Sequence, residues 1–223
     1  MPFDDPKQQG PGPGRGAGER AINLPPAILW LIVINVAVHL ARQALSESFD
    51  EQLILHLGLV PTSYTGTPGG DFLQLVAAPF TYQFLHGGWA HLGINMLSLA
   101  AFGAPVERLL GARRFVAFYL SAGLVAGFVH VLFFSDSPDP VIGASGAISG
   151  VFGAVLILMR RVGSLTSLLP IAGVWIALNI FFGLVGGTPG AGAEPVAWTA
   201  HIVGFVYGLI AIHLFVPRPA AGV

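Results

Sequence analysis

Apolar stretches long enough to cross a bilayer alternate with shorter polar connections along this chain. The pattern predicts six transmembrane helices, at about residues 27–45, 89–106, 115–134, 144–159, 168–185 and 196–216. Pro25-Pro26 suit the start of the first. Residues 46–85 form a long connection, within which 51–60 are too short to cross a membrane but apolar enough to lie in its edge. Residues 1–20 are rich in glycine, proline and charge, cannot bury a core and read as a disordered tail. They do not read as a signal peptide, because the apolar run after them is longer than an h-region and lacks a small-residue cleavage site. The six spans make one domain over residues 21–217, followed by a short tail at 218–223.

Composition agrees with this class. Hydrophobic residues make up 54% of the 223 and charged residues 9%, and the charges gather between the apolar runs, which gives an all-α, polytopic membrane protein. A net charge of -1 argues against a nucleic-acid partner, and zero cysteines leave no disulfide, thiolate or Cys-ligated metal. The distribution of cations orients the chain. Lys7, Arg15 and Arg20 precede the first span; Arg108, Arg113 and Arg114 join the second and third; Arg160 and Arg161 join the fourth and fifth; Arg218 follows the sixth. The other connections hold only Arg42 against seven carboxylates, so both termini are expected in the cytoplasm.

The candidate chemistry centres on Gly143-Ala144-Ser145-Gly146. Ser145 follows a proline-broken polar stretch and opens the fourth span, where unpaired N–H groups and the positive end of the dipole can hold a developing negative charge. An N-cap serine would sit in the same place. His201 lies about five residues into the sixth span, roughly 8 Å below the same surface. An ionisable residue within a span is by default a functional candidate. His91 stands near the start of the second span, with Asn95 four residues on along the same face and His86 ahead of both. Serine, histidine and further donors at one shallow depth are the components of an acyl-transfer site.

Small residues recur every fourth position on two spans, Gly146, Gly150, Ala154 and Ala200, Gly204, Gly208, which would let the helices bearing Ser145 and His201 approach closely. Other polar residues read as structural: Asn35 and His39 as interhelical hydrogen-bonders, Asn179 as glue between helices, Arg42 as a snorkelling side chain, His130 as a polar anchor and His213 as interfacial. Asp136 and Asp139 read as loop charges.

Three motifs in the same order, His86-x4-His91-x3-Asn95, Gly143-Ala-Ser145-Gly146 and Ala200-His201-x2-Gly204-x3-Gly208, resemble those of the rhomboid intramembrane serine proteases, as does Gly103-Ala-Pro-Val-Glu107-Arg-Leu-Leu-Gly111. The resemblance covers roughly residues 27–216. It implies a Ser145–His201 catalytic dyad, an oxyanion hole lined by His91, Asn95 and the Ser145 backbone N–H, and a supporting structure in which His86, Gly143, Gly146, Gly204 and Gly208 take part. It implies no cofactor and no metal, and substrates that are transmembrane segments of membrane proteins, cleaved in the lipid bilayer near their outer end. A bacterial inner membrane is the expected location, with the site toward the outer face. The chain departs from the family at Ala77-Ala78, where some members carry Trp-Arg, and at Ser149, where some carry an aromatic packed on the histidine. What orients His201 is therefore open. Two other readings are an intramembrane metal site with His86, His91 and His201 as ligands, and a non-catalytic member of the fold. A small transporter lacks support, since no paired intramembrane charges or inverted repeat are present.

Overall fold

A computed structural model describes residues 24–65, 71–159, 165–185 and 197–217. The tails expected at 1–20 and 218–223, and the loop at 186–195, lie outside the described residues. The chain forms α1 (Pro26–Gln43), α2 (Glu47–Leu57), α3 (Thr62–Thr65), α4 (Phe72–Thr81, continued by a 3-10 turn over Tyr82–Phe84), α5 (Trp89–Leu110), α6 (Ala112–Phe133), α7 (Ser145–Met159), α8 (Leu165–Val185) and α9 (Trp198–Phe215). The only extended pairing among the described residues is an isolated antiparallel bridge between Leu59 and Val141. The fold is all-α and polytopic, as the apolar pattern predicts.

Each predicted span coincides with a helix, and the differences fall at the ends. The second runs on through Pro105 to Leu110 and stops at Gly111, whose φ of 77° is a conformation that glycine tolerates best. α6 starts at the next residue, so Gly111 alone turns the chain between two long helices. α1, α6 and α9 are long and apolar enough to cross a membrane by length and composition. α7, at 15 residues, extends only about 22 Å, less than the ~30 Å of a hydrocarbon core.

That short helix is the centre of the bundle. It is buried from Gly146 through Ala154 and packs most extensively on α9, then on α6 and α5. Its interface with α9 is backbone against backbone: a Cβ on Gly204 would run into the Gly146 carbonyl oxygen, and one on Gly208 into that of Gly150. On the α6 side, a Cβ on Gly150 would lie 2.7 Å from Cβ of Ala122. The two small-residue stripes thus face each other. Large apolar side chains point away from the bundle, among them Trp30, Leu97, Leu132, Ile210 and Leu214. This is the arrangement expected of a protein whose solvent is lipid.

Two buried charges hold the periphery. Glu107, 3% exposed, accepts hydrogen bonds from the N–H groups of Ala27 (2.9 Å) and Ile28 (2.9 Å), capping α1 from α5. Pro25, at the N-cap of α1, provides no side-chain cap of its own. Arg42 corrects the expectation that it snorkels. It is 6% exposed and grips both oxygens of Asp50 (2.7 and 2.9 Å), while Nη1 donates to the carbonyl of His86 (2.7 Å). One guanidinium therefore joins α1, α2 and the loop that leads into α5. Asn35 also differs from expectation, because its amide donates to Leu31 O within its own helix (2.7 Å).

Candidate active site

α5, α7 and α9 all begin at the same end of the bundle, and His91, Ser145 and His201 occupy their first turns. Three positive helix ends therefore converge there. Ser145 is the first residue of α7. The N–H of Ile148 opens the helical ladder by bonding the Ala144 carbonyl (3.0 Å), so the N–H groups of Ser145, Gly146 and Ala147 lie ahead of it.

The turn before Ser145 is held from the long connection. Leu59 and Val141 exchange backbone hydrogen bonds of 3.0 and 2.9 Å, and Gly143 N–H donates to the carbonyl of Tyr82 (2.9 Å). Gly143 has φ 121°, a region that side chains other than hydrogen rarely permit. A Cβ there would also lie 2.8 Å from Nε2 of His91. His91 thus stands against the turn that presents Ser145.

Ser145 Oγ lies 2.6 Å from His201 Nε2. The other ring nitrogen, Nδ1, lies 2.5 Å from Oδ1 of Asn179 on α8. Asn179 Nδ2 donates to Trp175 O (2.8 Å), so its oxygen is the atom that faces the imidazole. An amide oxygen only accepts; Nδ1 therefore carries the ring proton, Nε2 carries the lone pair, and the Ser145 hydroxyl donates to it. Ser149 takes no part, since its hydroxyl donates back to Ser145 O (2.8 Å). The partner of His201 is Asn179, which the sequence suggests only as glue between helices.

The remaining candidates surround this pair. Asn95 is buried and its Nδ2 donates to His91 O (2.9 Å), one turn back on α5. The His86 and His91 rings meet edge to face at 5.1 Å. His86 is fully buried ahead of α5, and desolvation, reinforced by the neighbouring His91, pushes its pKa down to about 3, so the ring is neutral. His130 is buried, with Nδ1 2.6 Å from Thr199 Oγ1. It ties α6 to α9 two residues before His201. Among the described residues His86, His91 and His201 do not gather into a three-ligand set.

Residues 75–218 match the model of the Rhomboid domain. The chain is 36% identical over 135 residues to Rhomboid protease GluP of Bacillus subtilis (strain 168), a match covering 57% of this chain and 24% of that protein. It is 32% identical over 147 residues to RHOMBOID-like protein 5 of Arabidopsis thaliana, covering 62% and 44%. It is 40% identical over 76 residues to Rhomboid-related protein 3 of Homo sapiens, covering 34% and 18%. The chain thus spans less than half the length of each of these three relatives. The domain match takes in α5 through α9 and with them His86, His91, Asn95, Ser145, Asn179 and His201. On that match, and on the helical membrane bundle described above, this chain belongs to the rhomboid family.

Proposed function

We propose that this protein is an intramembrane serine endopeptidase that cleaves transmembrane segments of other membrane proteins near their outer end. The observation that carries this reading is the 2.6 Å contact between Ser145 Oγ and an imidazole nitrogen whose lone pair is free to take the proton. His201 removes the hydroxyl proton as Oγ attacks a peptide carbonyl, and the imidazolium then protonates the departing amine. Water enters and is deprotonated by the same ring, releasing the acyl group from Ser145. The developing oxyanion is held by the Ser145 N–H at the start of α7, with His91 and Asn95 as further donors. Asn95 has a second amide hydrogen for this beside the one given to His91 O. No cofactor enters the scheme.

The substrate class follows from the chemistry. A peptide carbonyl inside an intact helix is hydrogen-bonded, so the cleaved segment must unwind locally; small or helix-breaking residues near its outer end favour this. With both termini cytoplasmic, as the cations indicate, the site faces the outer side of a bacterial inner membrane.

The test is cleavage of a transmembrane reporter by purified protein in proteoliposomes. Ser145→Ala and His201→Ala should each abolish cleavage, and the double variant should be no worse than either single one, because the two residues act as a unit. Chelators should have no effect. Chelator-sensitive cleavage with an active Ser145→Ala would favour the histidine-ligated metal reading. No cleavage of any reporter by the wild type would favour a non-catalytic member.

A further inference from the structure

We propose that Asn179 is the positioning residue of the site, fixing the tautomer and orientation of His201; this rests on the serine-protease reading above. A neutral imidazole carries its proton on either nitrogen, and only the form with the lone pair on Nε2 can accept the Ser145 proton. The two forms differ little in intrinsic free energy, so a neighbouring group must choose. Asn179 does so with both ends of its amide. Nδ2 is spent on Trp175 O at 2.8 Å, which turns Oδ1 toward Nδ1 of His201 at 2.5 Å. The reverse tautomer would set two lone pairs against each other.

The surroundings leave this task to Asn179. Ser149 is bonded to Ser145 O, and Thr199 to His130. Asn179 is 8% exposed, while Val174 and Leu178 on the same helix are open to lipid. An amide pointing inward from a lipid-facing helix needs partners, and both of its polar atoms have one. The role is that of the third residue behind a histidine base, here an uncharged one. It also acts after proton transfer: the imidazolium still donates Nδ1–H to the same oxygen, and an amide dipole stabilises that charge without a buried carboxylate.

The experiment compares Asn179→Leu, which keeps the size and removes the acceptor, with Asn179→Asp, which keeps an acceptor oxygen. Cleavage kinetics, thermal unfolding in detergent and ¹⁵N spectra of ring-labelled histidine are measured, with His201→Gln to assign the resonance. Asn179→Leu should lower kcat, by at most the about 100- to 10,000-fold that a positioned general base contributes, and leave KM within about twofold. Its His201 resonances should move from the single Nδ1–H form to a mixture, whereas Asn179→Asp should keep the Nδ1–H form and recover much of the rate. If Asn179→Leu does not fold, Asn179→Ala makes the same measurement without a bulky side chain. Persistence of the pure Nδ1–H form in either apolar variant, or an unchanged kcat, would overturn the proposal. The ring spectra need no cleavage, so an active Ser145→Ala would defeat the protease reading while leaving the tautomer result to stand by itself.

Discussion

Gly204 of α9 lies so close to the carbonyl oxygen of Gly146 in α7 that no side chain fits between them. This contact is one turn below His201 and one residue after Ser145, so it sets how near those two side chains can come. Gly204→Ala should already separate the helices. Added bulk in a packed interior costs about 1–3 kcal/mol, whereas a 1 Å displacement of reacting atoms can cost about 100-fold in rate. Cleavage should therefore fall far more than thermal stability does, and far more than for Val206→Leu on the exposed face of α9. Equal rates in the two variants would mean that the glycine contact does not set the Ser145–His201 distance.

Gly143→Ala should be similarly damaging for a different reason. Its φ of 121° is costly for alanine, by about 1–3 kcal/mol, and the new Cβ would lie 2.8 Å from His91 Nε2. The expected outcome is a protein that folds with reduced stability and loses kcat, read from unfolding and cleavage curves on one preparation.

The helical bundle and the Ser145–His201 pair were legible in the sequence because each leaves a local signal: apolar length for a span, an ionisable residue inside it, small residues every fourth position. The contacts that cross between elements were not. Arg42 sits near the end of an apolar helix, where snorkelling is the ordinary outcome; only the fold brings Asp50 and the His86 carbonyl within 2.7 Å of its guanidinium. Glu107 looks like the polar border of a span, yet it caps a helix eighty residues earlier. Asn179 carried a usable signal. It stands six residues before the end of α8, a depth of about 9 Å, close to that expected for His201. The depth argument that joins Ser145, His91 and His201 applies to it equally.

Those long-range contacts predict stability rather than rate. Glu107→Ala leaves two buried N–H groups of α1 unpaired and, at about 1–3 kcal/mol for each, should cost about 2–6 kcal/mol. Glu107→Gln, which keeps one acceptor, should cost less. Arg42→Met should also destabilise, through the orphaned His86 carbonyl and Asp50, and loosen the loop ahead of α5. Thermal unfolding in a single detergent ranks the three; no loss for Glu107→Ala would show that the α1 cap is dispensable.

Orientation is open to a direct test because the chain has no cysteine. Asp139→Cys in the loop before Ser145 should react with a membrane-impermeant maleimide added to intact cells. Arg113→Cys, at the start of α6, should react only after the membrane is opened. The opposite pattern would invert the topology and put the site on the cytoplasmic side.

The central claim is that Ser145 is a nucleophile activated by His201, and covalent capture tests it most directly. Purified protein is incubated with a fluorophosphonate and the modified residue located by mass spectrometry. The account predicts a single adduct on Ser145, formed slowly or not at all in His201→Ala. An adduct on another serine, or labelling of Ser145 that proceeds equally without His201, would contradict it.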